Sequence, residues 1–177
     1  WAYGWSLQVA GRIIEIVSKQ PFDEFLQERI FEPLKMTDAT FVLSEKQAAR
    51  LATTYKLTEG KDGIEPATND YVVAKPGVKQ TPMPACFLGA TAHVGLRFYQ
   101  MLLNGGELDG ARLLKADTVH KMTSCQTGDL KTGFTDGNCW GLGVCIVREP
   151  QGVSEDLSPG TFGHGGAYGT QGWCDPA

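Results

Sequence analysis

The chain changes character after Gly137, and this change constrains its fold more than any other feature. Before it, apolar residues recur at helical spacing, as in "SLQVAGRIIEIVSK" from Ser6 onward. After it, "CWGLGVCIV" and "TFGHGGAYGTQGWC" are interrupted by glycine and rich in aromatic and β-branched residues. That pattern is typical of antiparallel strands. Because the helices precede the strands, the sequence predicts an α+β fold and not alternating βαβ units.

Five helices are predicted before Gly137, most of them with a start or stop signal. Ser6 is the expected N-cap of the first helix, and Pro21 suits the first turn of the second. A short third helix begins at Ser44, which has capping-box spacing to Gln47. The fourth helix, "TAHVGLRFYQMLLNGG", should stop at its final Asn-Gly-Gly, and the fifth lies in "LKADTVHKMTS".

Length and one irregular stretch define the expected domain organisation. Residues 56–85 show no sustained period, which predicts a connection that covers a surface or a cleft. At 177 residues the chain has the size of one ordinary domain. We therefore expect a single domain, mainly helical over residues 1–137 and with sheet strands over residues 138–177.

Composition argues against several classes of partner and cofactor. The net charge of −4, without a block of Lys or Arg, gives no electrostatic case for nucleic acid. The sequence contains no stretch of about 18 apolar residues, so it predicts no membrane span. The five cysteines form no C-x-x-C pair, so free thiols are expected, and neither they nor the three scattered histidines predict a metal site. No cofactor is expected.

Two stretches carry candidate chemistry, and each also has an ordinary structural explanation. Tyr3, in "WAYGWS", can act as a general base only if cations stabilise its phenolate, because a phenol titrates near ~10; otherwise it is an aromatic anchor. Residues 162–176, "FGHGGAYGTQGWCDP", surround His164 with glycines. Glycines let a substrate lie against a strand, and an exposed N–H can stabilise an oxyanion. The alternative is a glycine-rich strand that turns a corner.

Three stretches together resemble the serine β-lactamase superfamily, in the branch of class C β-lactamases, penicillin-binding DD-peptidases and family VIII carboxylesterases. They are "IFEPLKMTDATF", "MLLNGGELDGARLL" and "GTFGHGGAYGTQGWCDP". The last is similar to the third catalytic motif of that superfamily in its His-Gly-Gly form. The resemblance implies the helical lobe and part of the antiparallel sheet of the β-lactamase/transpeptidase-like fold.

The resemblance also implies a mechanism and its residues. In the superfamily, the serine of a Ser-x-x-Lys motif attacks a carbonyl and forms an acyl-enzyme. By position, Tyr3 is then the catalytic tyrosine, and His164, Gly165 and Gly166 form the substrate-binding third motif. The Ala167 N–H is the implied oxyanion donor. Many members have a lysine at the position of His164, and a histidine attracts a substrate carboxylate less strongly.

Two departures from the superfamily pattern shape the functional expectation. No Ser-x-x-Lys occurs in the chain, so we expect an internal fragment that is inactive alone, from a parent serine hydrolase. Trp5 replaces the asparagine of the usual Tyr-x-Asn motif, which favours ester or amide substrates over β-lactams. The alternative is a binding or scaffolding protein that has the fold without catalysis. Unpaired strand edges in such a fragment predict disorder there or pairing with a second copy, as a homo-oligomer.

Overall fold

The computed structural model describes residues 4–67, 88–132, 136–166 and 169–177. The helices are α1 (Trp5–Ser18), α2 (Phe22–Leu26), α3 (Glu45–Ala48), α4 (Ala92–Leu103) and α5 (Ala116–Met122), with a π-helical turn at Gln27–Phe31 and a 3₁₀ turn at Gly152–Ser154. The strands are β1 (Tyr55–Leu57), β2 (Ile64–Pro66), β3 (Glu107–Leu108), β4 (Ala111–Arg112), β5 (Asn138–Trp140), β6 (Cys145–Val147), β7 (Phe162–Gly165) and β8 (Gln171–Cys174).

The described residues divide into two compact units. The helical unit lies within residues 4–27 and 37–91 and contains α1, α2, α3 and the β1–β2 hairpin. The sheet unit lies within residues 28–36 and 92–177 and contains α4, α5 and strands β3 to β8. The candidate site residues that the structure describes all belong to the sheet unit.

In the helical unit, α1 begins earlier than the sequence predicts. Gly4, with φ of 104°, turns the chain into the helix, and Trp5 is the first helical residue. The prediction that Ser6 is the N-cap is therefore wrong, because the turn at Gly4 starts the helix without a side-chain cap. The apolar period predicts the helix itself correctly. However, Val9 and Ile13 on this helix are more than half exposed.

The junction between α1 and α2 is held by one carboxylate. Lys19 ends α1 in the left-handed conformation, and its N–H donates to the carbonyl oxygen of Glu15. The side chain of Glu15 accepts the Phe22 N–H at 3.1 Å, which ties the end of α1 to the start of α2. Phe22 is buried and packs against Phe41, with 6.1 Å between ring centroids. The hydrogen bond from Arg12, and then that from the Phe22 N–H, lower the pKa of Glu15.

Two further features of the helical unit test the sequence prediction. The Ser44 hydroxyl accepts the Gln47 N–H, and the Gln47 side chain accepts the Ser44 N–H, so the predicted capping box is confirmed. The expectation of an irregular stretch over residues 56–85 is wrong at its start, because β1 and β2 form an antiparallel hairpin with Lys56 opposite Glu65. An ion pair of 3.0 Å between those two side chains supports the pairing. Residues 68–87 lie outside the described part of the chain.

The sheet unit contains a four-stranded antiparallel sheet in the order β5-β6-β7-β8. The predicted strands after Gly137 are therefore confirmed. Ile146 on β6 pairs with Phe162 on β7, which pairs with Cys174 on β8, and all three residues are buried. Side chains from α4 complete this core, with Met101 and Leu102 almost fully buried. Strands β5 and β8 form the two edges of the sheet.

Helix α4 ends as predicted and is anchored by Arg97. Gly105 and Gly106 follow the helix with φ of 66° and 99°, values that favour glycine. The Arg97 side chain, only 16% exposed, donates to the carbonyl oxygen of Leu34 and to the Asp109 carboxylate, the latter at 2.6 Å. The hydrogen bond from Arg97 is the main cause that lowers the pKa of Asp109.

The expectation that all thiols are free is wrong for one pair. Cys125 and Cys139 form a disulfide, with 5.7 Å between their Cα atoms. The chain after α5 runs beside β5, because the Gln126 N–H donates to the Trp140 carbonyl oxygen at 2.7 Å and Thr127 Oγ1 accepts the Trp140 N–H at 3.0 Å. This pairing brings together two cysteines that are 14 residues apart and share no spacing motif.

Candidate active site

The predicted third motif lies on β7 and continues into the turn towards β8. His164 pairs with Gly172, and Gly165 pairs with Gln171. The Gly166 N–H then donates to the Thr170 carbonyl oxygen at 2.7 Å and closes the hairpin. The structure thus keeps His164, Gly165 and Gly166 together at the end of one strand. The other two predicted site residues, Tyr3 and Ala167, lie outside the described residues.

His164 is half-buried, and its imidazole is held on two sides. The ring lies edge-on to the buried Trp140 of β5, with 5.2 Å between ring centroids and an interplanar angle of 63°. Nδ1 contacts the carbonyl oxygen of Gly165. Because a carbonyl oxygen only accepts, the tautomer with the proton on Nδ1 is the one that makes this contact a hydrogen bond. In the neutral ring, Nε2 is then the nitrogen that can accept a hydrogen bond.

The glycines of the hairpin have different structural requirements. A Cβ on Gly163 would overlap the carbonyl oxygen of Gly172 and lie 2.9 Å from the Cα of Trp173, so only glycine fits there. A Cβ on Gly165 would meet only side-chain atoms of Gln171, at 3.0 to 3.4 Å. Gly163 is therefore required by strand pairing, whereas Gly165 faces a side chain that can move.

Sequence reasoning missed two aromatic residues that contact this motif. Trp140 packs against the His164 ring, and the Tyr99 hydroxyl on α4 donates to the Gly172 carbonyl oxygen at 3.0 Å. Tyr99 lies three positions before the buried Leu102, on the inner side of an apolar helix. A tyrosine on an inner helix face needs a hydrogen-bond partner for its hydroxyl, and this requirement was the available signal. For Trp140, the only signal in the sequence was an aromatic residue on a predicted strand.

Neither free cysteine in the described part of the chain has the properties of an activated nucleophile. Cys145 and Cys174 are both buried. Burial raises the pKa of Cys174 to about 11 and also raises the pKa of Cys145. Reactive cysteines have lowered pKa values and accessible sulfur atoms, so these two thiols are unsuited to nucleophilic attack.

The described ranges hold neither a cluster of metal ligands nor a helix that could span a membrane. There, no three His, Cys, Asp or Glu side chains are grouped so as to hold a metal ion. Among the helices of those same ranges, none combines the length and the apolar character that crossing a bilayer requires.

Comparison with known proteins identifies the family. A family model described as Beta-lactamase matches residues 4–177. Protein Rv1367c of Mycobacterium tuberculosis is 32% identical over 189 aligned positions, which cover 99% of this chain and 45% of that protein. Penicillin-binding protein 4 of Amycolatopsis lactamdurans is 31% identical over 164 positions, which cover 92% of this chain and 40% of that protein. The chain thus spans less than half the length of these relatives.

A solved structure gives the same result for the fold. EstCE1, described as a hydrolase with promiscuous acyltransferase activity, superposes with a TM-score of 0.73 at 21% identity. The match covers 98% of this chain and 48% of that one. The predicted α+β architecture of the β-lactamase/transpeptidase-like type is therefore confirmed. With the family model matching almost every residue, the chain belongs to the beta-lactamase family.

Proposed function

We propose that this chain is part of a serine hydrolase that acts on ester or amide substrates through an acyl-enzyme. The observation that carries the proposal is the His164-Gly165-Gly166 segment at the end of β7, in a chain of the beta-lactamase family. The segment places a half-buried imidazole beside a strand end where glycine leaves the backbone open. Such a strand can line an acyl-binding cleft.

The proposed reaction divides the work between this chain and a nucleophile outside its sequence. A serine of a Ser-x-x-Lys motif attacks the substrate carbonyl carbon, and its proton passes through the lysine and Tyr3 to the leaving group. The Ala167 N–H stabilises the oxyanion of the tetrahedral intermediate. Water then attacks the acyl carbon and releases the acid product. Since the 177 residues contain no Ser-x-x-Lys, the isolated chain should form no acyl adduct.

Two residues favour an ester or a simple amide over a β-lactam. Trp5 stands at the third position of the Tyr-x-Asn motif, where an asparagine amide would bind the substrate amide, and its side chain is 82% exposed. His164 replaces the lysine that would attract the carboxylate of a β-lactam. EstCE1, by its description a hydrolase with acyltransferase activity, supports acyl chemistry of this kind. The similarity to a penicillin-binding protein leaves β-lactams as the second substrate class.

The proposal is tested on a gene product that contains a Ser-x-x-Lys serine upstream of this sequence. Mass spectrometry after mixing with p-nitrophenyl acetate should show an acyl adduct of 42 Da, and nitrophenol should be released over many turnovers. Tyr3→Phe should slow turnover about 100-fold or more, because it removes a proton carrier. The exposed Tyr55 supplies the matched control, and Tyr55→Phe should retain the wild-type rate. Rapid cephalosporin turnover without ester cleavage would overturn the substrate preference.

The missing Ser-x-x-Lys also favours a second candidate function, a non-catalytic binding or scaffolding protein. The same experiment separates the two functions. If the upstream position carries a different residue and no adduct forms with either substrate, the binding function is the correct one.

We also propose that the strand edges of the sheet unit mediate self-association. Strands β5 and β8 are its outer strands, and an exposed edge offers unpaired N–H and C=O groups to a second copy. Trp140 on β5 already bonds Gln126 and Thr127, so β8 is the edge we propose for pairing. Sedimentation should then show a dimer or larger species of this chain. A monomer whose β8 amides are all protected from hydrogen exchange would contradict this idea.

A further inference from the structure

Tyr99 of α4 reaches the backbone of the β7–β8 hairpin that carries the third motif. Its hydroxyl donates to the carbonyl oxygen of Gly172 on β8, at 3.0 Å. Gly172 is the register partner of His164 across the hairpin. The phenol therefore contacts the hairpin at the level of His164.

The contact is close because residue 172 is glycine. A Cβ at this position would lie 2.7 Å from the Tyr99 hydroxyl oxygen and 2.8 Å from its Cε2 atom. The Cys174 thiol, two residues further along β8, donates to the Tyr99 carbonyl oxygen at 3.5 Å. Helix α4 thus holds β8 through both the side chain and the backbone of one residue.

The phenol keeps its proton throughout the neutral range. Burial is the main cause that raises the pKa of Tyr99, the Cys174 thiol raises it further, and the His164 N–H acts in the opposite direction. Because the hydroxyl stays protonated, it remains a donor to the Gly172 carbonyl oxygen. Removing the hydroxyl leaves the Gly172 carbonyl oxygen without this donor.

We propose that Tyr99 is a positioning residue that holds the His164-Gly165-Gly166 segment in place through the hydrogen bond from its hydroxyl to the backbone of β8, the strand paired with that segment. This role rests on the proposed acyl-enzyme function, in which that segment lines the cleft. Tyr99 acts through the strand backbone and not on the substrate. Loss of its hydroxyl should therefore misplace the segment without removing any group that contacts the substrate.

The first test measures the strands themselves and needs no activity. Amide hydrogen exchange in the 177-residue chain, followed by NMR, should be about two- to tenfold faster at His164 and its neighbours in Tyr99→Phe. Tyr99→Phe keeps the ring and removes only the hydroxyl. Tyr55→Phe, on the exposed β1 strand, is the matched control and should leave these amides unchanged. Unchanged exchange at His164 in Tyr99→Phe would overturn the proposal.

Gly172→Ala is a second variant that disturbs the same contact from the strand side. Its Cβ displaces the Tyr99 ring, so it should accelerate exchange at His164 in the same way. If Gly172→Ala leaves the exchange rate of His164 unaltered, Tyr99 does not hold the strand.

The kinetic test separates positioning from a purely structural role. In an acylating gene product, Tyr99→Phe should lower kcat for p-nitrophenyl acetate about three- to tenfold, with KM changed less than twofold. A lower melting temperature with kcat retained would mean that Tyr99 is only structural, and would overturn the proposal. If the wild-type protein forms no acyl adduct, the proposed function fails, and hydrogen exchange alone decides the role of Tyr99.

Discussion

Replacing Gly163 by alanine should destabilise the sheet unit, whereas the same change at Gly165 should be tolerated. The two glycines lie two residues apart on β7 and differ in what a methyl group would meet. At Gly163, the new Cβ would overlap the carbonyl oxygen of Gly172 and lie 2.8 Å from Cε3 of Trp173. The backbone of β8 cannot withdraw without breaking the Gly163–Trp173 pairing. At Gly165, only the flexible end of Gln171 has to shift.

These contacts set the expected magnitudes. Inserting a methyl group into a well-packed site costs about 1–3 kcal/mol, and a clash with backbone atoms places Gly163→Ala near the upper end of that range. For a chain of this size, each kcal/mol corresponds to about 2–4 °C, so the melting temperature should fall by roughly 5–10 °C. Gly165→Ala should change stability by no more than about 0.5 kcal/mol, since the loss of unfolded-state entropy offsets the small adjustment at Gln171.

Thermal and urea unfolding of the two variants, followed by circular dichroism, provide the assay. The mutant pair is well matched because both changes add one methyl group to the same strand. Equal losses at Gly163 and Gly165 would refute the reasoning, since they would show that close backbone approach does not decide the cost. A fully stable Gly163→Ala variant would refute the described pairing of β7 with β8.

Three further predictions concern pH, redox state and helix capping. The pKa of Asp109 is lowered below its ordinary value of 3.8. Its bond to Arg97 therefore stabilises the fold fully above pH 3.8, and this stabilisation is lost as the pH falls through the lowered pKa. The difference in urea midpoint between wild type and Asp109→Asn should therefore shrink between pH 6 and pH 3. The Cys125–Cys139 disulfide closes a loop of sequence separation 14, so its reduction should lower the free energy of unfolding by about 3 kcal/mol. Thiol titration should then detect two more free thiols. The stability of a Cys125→Ser variant should not change when reductant is added. Ser44→Ala should cost about 1 kcal/mol by calorimetry, and Ser44→Asp, which retains a cap acceptor, should cost much less.

Local sequence patterns predicted most elements because the interactions that define them are local. The Ser44 capping box and the glycine stop after α4 depend on residues three or four positions apart, and both were confirmed. The start of α1 was predicted too far along the chain. Gly4, with φ of 104°, turns the chain into the helix, so Ser6 lies inside α1 and not at its N-cap. The β1–β2 hairpin was missed because each strand has only three residues, all of them exposed, and so short a run does not establish a period.

Local sequence patterns could not predict the contacts between distant segments. Tyr99 and Gly172 are 73 positions apart, and no local spacing relates them. The disulfide between Cys125 and Cys139 depends on the chain after α5 running beside β5. In each case the sheet register decides which residues meet, and register follows from the packing of the whole unit.

The structure shows which glycines of "FGHGGAYGTQGWCDP" are required by the β7–β8 hairpin itself. Gly163 is required by the approach of Gly172 and Trp173, and Gly172 is required by the Tyr99 ring. Gly169 adopts φ of 80° in the hairpin turn. These three would be glycine in a hairpin with no substrate at all. A Cβ on Gly166 would lie 2.1 Å from Oγ1 of the β-branched Thr170, so packing within the hairpin also bears on that position. At Gly165, the nearest atoms to an added Cβ belong to the flexible end of Gln171. If a glycine of this motif serves an acyl group, Gly165 is the position where internal packing does not already explain it.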